Sequence, residues 1–186
     1  MRMNRNGLVT AETIVNSKPE SYIFDILKEN TDLRNSGAIA RAIIAARKER
    51  KIKTTTELAE IVTPLLNSKT YKKELAQVFQ AFRIATNDEM SALEHLLQSS
   101  LHVLKNRGRI AIITYHSGED RIVKDFFKNG SLNPEPDRDF LIYGTPRSPW
   151  KLITGSPVTA SEAEVESNPR SRSAKLRVAE LTKSKK

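Results

Sequence analysis

The chain has 186 residues, 38% of them hydrophobic, which is enough for one domain, or for one domain with an inserted subdomain. No run approaches the ~18 apolar residues of a membrane span, and the first residues lack the apolar stretch of a signal peptide. Cysteine is absent, which excludes disulfides and thiolate chemistry, and three scattered histidines disfavour a metal site. We expect a cytoplasmic protein that binds neither metal nor membrane.

The net charge of +9 is concentrated in two segments. Residues 34–53 and residues 168–186 each hold seven basic residues against one acid, a net of +6 for each segment. Localised positive charge is typical of proteins that bind phosphates, because each phosphate contact releases condensed counterions. The alternative is a solvated helix face together with a frayed basic tail. Two such segments in one small chain favour a nucleic-acid partner.

The first half of the chain is predicted to form helices joined by polar turns. Apolar residues recur at helical spacing over residues 39–46, which leaves a basic outer face. Thr54 to Glu57 matches a capping box, and Pro64 is expected to close the helix that follows. Thr86 to Glu89 matches a second capping box, which is predicted to open a long helix with a stripe of leucines.

The second half is predicted to form an incomplete α/β layer. Ile110 to Thr114 is a short β-branched run, typical of a strand buried on both faces, and helical spacing resumes from Ile122 to Phe127. The long helix and this strand would form half of a βαβ unit. Further elements are predicted as strands at Phe140–Tyr143, Lys151–Val158 and Lys175–Leu181, with a short acidic helix at Ala160–Glu166.

Four polar side chains follow the predicted Ile110 strand: His116, Ser117, Glu119 and Asp120. Ligands of open α/β sheets lie beyond the carboxyl ends of the strands, so this is a favoured place for a site. In a purely structural interpretation, Ser117 caps the next helix, the acids complement its dipole and His116 satisfies a strand-end carbonyl. In the functional interpretation, the four side chains hydrogen-bond a polar substrate.

The spacing of the glycines excludes the usual cofactor loops. The seven glycines lie at least ten residues apart, so neither a G-x-G-x-x-G turn nor a P-loop can be present. A nucleotide-like cofactor therefore has no glycine cradle in this chain. Ser117 also lacks the G-x-S-x-G elbow of a hydrolase nucleophile.

Two other polar sets stand out in the sequence. Gln80, Arg83, Asn87 and Asp88 are interleaved with apolar residues, and taken alone this pattern favours a capping box after a helix with exposed amides. Residues 168–177 hold clustered arginine and serine donors that suit phosphate contacts. The alternative for this second set is a basic linker into an edge strand.

Five blocks of the sequence together resemble one known family. They are "RMN", "ARAIIAAR", "FQAFRIATNDEM", "GRIAIITYHSGEDRIVKDFF" and "NPRSRSAKLRVAE", and they cover nearly the whole chain. Their order is similar to that of the bacterial small-subunit ribosomal RNA methyltransferase H family, also called MraW. The resemblance implies an α/β fold: a partial class I S-adenosylmethionine-dependent methyltransferase sheet, Rossmann-like, with an inserted all-helical subdomain.

The resemblance also implies a division of the chain. Residues 1–17 would return from a missing N-terminal half, residues 18–80 would form the inserted RNA-recognition subdomain, and residues 81–186 would complete the methyltransferase domain. Met1 would lie inside the family pattern, so the chain would be the carboxyl-terminal three-fifths or so. The strands and the Gly-Gly-His loop that hold S-adenosylmethionine would be absent from this chain.

The activity implied is methylation of the exocyclic N4 amine of a cytidine in 16S ribosomal RNA, with S-adenosylmethionine as donor. The isolated chain would be inactive. Its partners would be 16S rRNA in the small ribosomal subunit and the missing N-terminal half, and a homodimer is a further alternative. The residues expected to line the cytidine side are Asn4, His116, Ser117, Glu119 and Asp120. The residues expected to contact RNA are Arg41, Arg47, Lys48, Arg83, Asn87, Asp88, Arg170, Arg172, Lys175 and Arg177.

One residue departs from the family pattern: Gly118 stands where the family usually has leucine. Two other interpretations of the chain remain open. The first is a non-catalytic basic module that binds ribosomal RNA or the ribosome. The second is a degenerate relic, whose incomplete sheet would expose a hydrophobic edge and aggregate or dimerise through it.

Overall fold

The computed structural model describes residues 1–4, 7–132 and 148–182. The chain divides into two compact units, Met1–Glu89 and Met90–Lys186. The first unit is helical, and the second combines helices with a four-stranded sheet. This composition agrees with the predicted α/β class that includes a helical subdomain. Within the described ranges, no helix has both the length and the apolar character that crossing a bilayer requires.

The first unit is built from five helices among the described residues. They are α1 (Ala11–Ser17), α2 (Glu20–Asn30), α3 (Ser36–Glu49), α4 (Thr55–Val62) and α5 (Tyr71–Asn87). Helix α2 packs against both α3 and α5. Aliphatic side chains from all five helices form a core with the ring of Phe82, and its fully buried members include Ile14, Ile23, Leu27, Ile39, Ile43, Val62 and Val78.

The capping box predicted at Thr54 is confirmed. Thr54 Oγ1 accepts from the backbone N–H of Glu57 at 3.1 Å, and Glu57 Oε2 accepts from the backbone N–H of Thr54 at 3.0 Å. A cap of this kind stabilises a helix by about 1 kcal/mol. After α4, a 3₁₀ turn at Thr63–Leu65 includes the predicted terminator Pro64.

The second capping box, predicted at Thr86, is wrong. Helix α5 continues through Thr86, whose hydroxyl donates to the carbonyl of Phe82 at 2.6 Å. Asp88 then adopts a left-handed conformation with φ of 52°, and α6 (Glu89–Val103) begins at the next residue. Buried Phe82 and Ile84 continue the apolar face of α5 up to this point, so tertiary packing overrides the local capping signal.

The second unit places three short strands against one longer central strand. Its elements after α6 are β1 (Arg109–Thr114), α7 (Ser117–Asn129), β2 (Trp150–Leu152), β3 (Val158–Thr159), α8 (Glu162–Ser167), a 3₁₀ turn (Pro169–Ser173) and β4 (Lys175–Leu181). Strand β4 pairs antiparallel with β1, β2 and β3. The expected parallel βαβ pairing is therefore not seen among the described strands.

The later strand predictions have different outcomes. The single strand predicted at Lys151–Val158 is instead two strands, β2 and β3, separated by a turn that contains Gly155 and Pro157. Proline lacks an N–H for the strand ladder, so a continuous strand through this segment is disfavoured. The strand predicted at Lys175–Leu181 is confirmed as β4. The strand predicted at Phe140–Tyr143 lies outside the described residues.

Strand β1 is covered on one face only, contrary to the expectation of burial on both. Ile112 and Thr114 are buried, whereas Ile113, which points to the opposite face, is 57% exposed. Its register partner on β4 is Leu176, and Leu176 in turn pairs with Val158 on β3. We call this row of Ile113, Leu176 and Val158 the outer face. On the inner face, Ile112 belongs to an apolar cluster whose other buried members are Leu97, Val123, Phe126, Phe127, Trp150, Ala179 and Leu181.

Candidate functional site

The junction between β1 and α7 is organised by a histidine cap. His116 is the N-cap of α7, and its Nδ1 accepts from the backbone N–H of Glu119 at 3.3 Å. Glu119 completes the capping box because its Oε2 accepts from the backbone N–H of His116 at 3.4 Å. The expectation that Ser117 caps this helix is therefore wrong. Ser117 is the first helical residue and is exposed.

The cap fixes the tautomer of the imidazole. Because Nδ1 accepts a hydrogen bond, neutral His116 must carry its proton on Nε2. That Nε2 atom is buried and lies 3.4 Å from Glu119 Oε1. It has no hydrogen bond of good geometry within the described part of the chain. His116 therefore holds a donor that the protein's own acceptors use only weakly.

The carboxylate of Glu119 serves the backbone. Its Oε2 also accepts from the backbone N–H of Tyr115, at 2.8 Å. Burial by itself would raise the pKa of Glu119, but the His116 side chain 3.4 Å away and the hydrogen bond from the Tyr115 backbone outweigh it and lower the pKa. Glu119 is thus an anion that stabilises the turn, and it is a weak base at neutral pH.

Asp120 pairs with two basic side chains of β4. Its Oδ1 and Oδ2 accept from Arg177 Nε at 2.6 Å and Nη2 at 3.1 Å, and Lys175 Nζ lies 3.5 Å from Oδ2. The side chains of Asp120 and Arg177 are each only 12% exposed. The hydrogen bond from Arg177 is the main reason that the pKa of Asp120 is lowered, although burial opposes it. This pair ties the first turn of α7 to the central strand.

Gly118 packs directly beneath the histidine cap. A Cβ at this position would lie 3.2 Å from His116 Nδ1 and 3.4 Å from the terminal methyl of Met90. Because 3.2 Å is tighter than an ordinary contact, a side chain at this position would require the imidazole to shift. The glycine therefore permits the observed close approach between the imidazole and the first turn of α7.

The first unit contains another polar cluster, at the end of α5. Asn87 Nδ2 donates to the carbonyl of Met1 at 3.0 Å, and Asn87 Oδ1 accepts from the N–H of Met3 at 2.7 Å. Arg83 forms a bidentate pair with Glu89 at 2.9 and 3.0 Å. Asn87 thus holds the segment that leads into Asn4, which is exposed. Glu89, the shared partner of Arg83 and Asn87, was missed by the sequence reasoning.

The basic residues predicted to contact RNA differ in their surroundings. Arg47 donates to the carbonyls of Val15 at 2.9 Å and Lys18 at 2.7 Å, which fastens α3 to the end of α1. Arg41 and Lys48, by contrast, are exposed on α3. In the second unit, Arg170 and Arg172 are exposed on the 3₁₀ turn before β4.

The structure therefore separates the predicted site residues into two sets. His116, Ser117, Glu119 and Asp120 surround one junction of the second unit, whereas Asn4, Asn87 and Asp88 belong to the first unit. The His-x-x-Glu spacing could have revealed the cap, because a capping box places its partners three positions apart. In the described ranges, no group of histidines and carboxylates is arranged to hold a metal ion.

The second unit has a sheet that is covered on one face, and α7 follows strand β1 directly. Polar residues lie at the junction between β1 and α7, so the chain is an α/β protein with a candidate site at the end of a strand. The MraW methylase family model matches residues 1–182. The chain belongs to this family, whose fold is the class I S-adenosylmethionine-dependent methyltransferase fold.

Curated relatives agree with this assignment. "Ribosomal RNA small subunit methyltransferase H" of Azobacteroides pseudotrichonymphae is 47% identical over 180 residues, which cover 97% of this chain and 59% of that protein. The proteins of the same name from Bacteroides thetaiotaomicron and Amoebophilus asiaticus are each 44% identical, over 97% and 98% of this chain and 59% and 58% of their own lengths. The chain thus spans just under three-fifths of these relatives.

Proposed function

We propose that this chain is part of an S-adenosylmethionine-dependent enzyme that methylates the exocyclic N4 amine of a cytidine in 16S ribosomal RNA, in the cytoplasm. The observation that carries the proposal is the family match over residues 1–182, together with relatives named as small-subunit ribosomal RNA methyltransferases. The substrate would be the RNA of the small ribosomal subunit.

The residues of this chain do not fit the methyl donor by themselves. The chain has no closely spaced glycines to approach a nucleotide-like group. At the β1–α7 junction, the carboxylate of Glu119 is engaged by backbone donors and that of Asp120 by Arg177. Neither carboxylate is left to bind a ribose hydroxyl. The proposal therefore assigns donor binding to residues outside this chain.

Within the proposal, the junction forms the wall that contacts the RNA base. His116 is proposed as one contact to the base, and since its Nε2 is buried 3.4 Å from Glu119 Oε1, the contact requires this atom to be uncovered when the substrate binds. The exposed hydroxyl of Ser117 can donate or accept beside it. Glu119 and Asp120 act indirectly, since they fix the histidine and the first turn of α7. The exposed amide of Asn4 is proposed as a further contact to the substrate.

The basic residues are proposed to act in two ways. Arg41, Lys48, Arg170 and Arg172 are exposed, and they are assigned to RNA phosphates. Arg47, Arg83, Lys175 and Arg177 have protein partners, so they position the surrounding structure and add to the positive field. Asn87 and Asp88 position the segment that precedes Asn4 and the start of α6.

The proposal is tested by supplying the residues that this chain does not contain. The chain is assayed alone, and after co-expression with the N-terminal segment of the Azobacteroides relative, using tritiated S-adenosylmethionine and small subunits from a strain that lacks the methyltransferase. We expect no transfer by the chain alone. With the segment, we expect transfer and N4-methylcytidine in the nucleoside digest. Methylation of another base, or no transfer by the co-expressed pair, would overturn the proposal.

Calorimetry separates cofactor binding from RNA binding. The chain alone is titrated with S-adenosylmethionine, and no binding is expected. Micromolar affinity would contradict the assignment of donor binding to other residues. Salt-dependent RNA binding, with no methyl transfer by the co-expressed pair, would support the alternative of a non-catalytic ribosomal RNA-binding module, which the two basic segments favour.

A further inference from the structure

A second basic surface lies at the start of α5, apart from the residues considered above. Lys69, Lys72 and Lys73 are exposed, and the ring-bearing side chain between them, Tyr71, is 39% exposed. Arg34, which precedes α3, is also exposed. We call these five residues the α5 surface. None of the three lysines has an ion pair with another described residue.

The α5 surface is concave. One hollow of about 380 Å³ is lined by residues 69–73. A second hollow of about 720 Å³ shares Thr70 and Lys73 with the first and extends to Arg34. Two acids, Asp32 and Glu74, also line the second hollow, so the basic residues outnumber the acidic ones by four to two across both hollows. The shape and the charge together suit an extended polyanion.

The turn that presents this surface is held in place by Glu74. Its Oε2 accepts from the backbone N–H of Asn67 at 2.9 Å, and its Oε1 accepts from the hydroxyl of Thr70 at 2.8 Å. These bonds lower the pKa of Glu74, so the clamp is intact at neutral pH. Lys69 and Tyr71 therefore project from a turn whose backbone is held in place, and less loop entropy is lost when a ligand binds.

We propose that the α5 surface binds a single-stranded segment of RNA. The lysines and Arg34 contact successive phosphates, and one base stacks on the ring of Tyr71. Aromatic rings between basic side chains are the usual platform for single-stranded nucleic acid, because every base has a π-face. The other exposed members of the turn, Asn67, Ser68 and Thr70, are polar, whereas a surface that inserts into a membrane needs apolar side chains. That the strand belongs to the substrate rests on the proposed function.

The test compares two triple variants of the whole chain. In Lys69→Gln/Lys72→Gln/Lys73→Gln the α5 surface loses three charges. The control, Lys105→Gln/Lys124→Gln/Lys128→Gln, loses three exposed charges from the second unit. Binding of fluorescein-labelled oligouridylate is followed by anisotropy from roughly 50 to 200 mM salt, the range over which phosphate contacts change affinity strongly. Circular dichroism confirms that each variant is folded.

The α5 variant is expected to bind on the order of tenfold more weakly, with a log–log salt slope smaller by about 2, since each phosphate on a single strand contributes about 0.7. The control is expected to change both quantities by much less. Equal losses in the two variants, or wild-type binding by the α5 variant, would overturn the proposal. The proposal would also be overturned if the α5 variant lost only its co-sedimentation with phosphatidylserine vesicles and kept its RNA binding.

Tyr71 provides a second, independent measurement. Tyr71→Ala should weaken oligouridylate binding roughly tenfold without changing the salt slope, because stacking releases no counterions. Tyr71→Phe should bind as the wild type does. If the phenylalanine variant is as weak as the alanine variant, stacking is refuted. Normal RNA binding by both triple variants, alongside methyl transfer by the co-expressed pair, would refute this inference and leave the proposed function standing.

Discussion

Replacement of Asp120 by asparagine tests whether the α7–β4 ion pair stabilises the second unit. The substitution keeps the size of the side chain but removes the charge that faces Arg177. Loss of one partner from a buried ion pair typically costs ~3–5 kcal/mol, because the other charge is left uncompensated. Since both side chains are 12% exposed and Lys175 is 39% exposed, we expect the lower end of that range, about 3 kcal/mol.

The same pair predicts a pH dependence. The pKa of Asp120 is lower in the folded chain than in the unfolded one. Its contribution to the free energy of unfolding is therefore present above the unfolded value of about 3.9, and it is lost as the pH falls through the lower folded value. The Asp120→Asn variant should lack this component of acid destabilisation.

The assay is urea unfolding followed by the fluorescence of Trp150. This residue is the only tryptophan in the chain, is 5% exposed, and lies 5.9 and 5.3 Å from the rings of Phe126 and Phe127. Its signal therefore reports on the second unit. The matched control is Arg109→Gln, which removes an ion pair between β1 and the same central strand, β4, where Arg109 faces Glu180.

The control should lose less than about 1 kcal/mol, because the side chain of Arg109 is 64% exposed and surface pairs contribute little. Equal effects of Asp120→Asn and Arg109→Gln would refute the reasoning from burial. A double-mutant cycle with Arg177→Met isolates the pair itself. A coupling energy near zero would show that the observed geometry does not determine stability.

Three further substitutions test local features. His116→Ala should lower the stability of the second unit by about 1 kcal/mol, whereas His116→Asn should largely keep the cap; equal losses would contradict the capping role. Gly130→Ala should destabilise by roughly 1–3 kcal/mol, because φ is 75° and the new Cβ would lie 2.5 Å from Pro149 Cδ; an unchanged urea midpoint would refute this. Asn87→Leu should speed amide exchange at Met3 relative to Asn87→Asp, which keeps the acceptor; equal exchange rates by NMR would rule out the amide clamp.

Local signals in the sequence were reliable only where packing agreed with them. The Thr54 box formed as predicted, because both partners lie within one helical turn. The Thr86 box had the same spacing but failed, because buried Phe82 and Ile84 keep α5 helical. Likewise, the β-branched run correctly located β1. Whether one or two of its faces are covered depends on elements far away in sequence, so the pattern alone could not show it.

The candidate site shows the same limit. The position of the polar junction was predictable, because it follows directly from the end of a strand and the start of a helix. The pairing of Asp120 with Arg177 was not, since 57 positions separate the two residues and no local pattern links them. The cap of α7 was assigned to Ser117, although the His-x-x-Glu spacing was compatible with a cap by His116. The resemblance to a family indicated the fold and the candidate residues. Only the structure showed which of their polar groups already have hydrogen-bond partners within the protein.

The outer face has a practical consequence for any attempt to reconstitute activity. Ile113 and Val158 on this face are 57% and 52% exposed, and β1 is the terminal strand of the sheet within the described residues. An apolar row beside a terminal strand is a template for pairing between chains. Purified chains are therefore expected to associate through this face as their concentration rises, and this association would cover the face. The N-terminal segment should therefore be co-expressed with the chain rather than added to the purified chain. Activity after co-expression and activity after later addition should be compared.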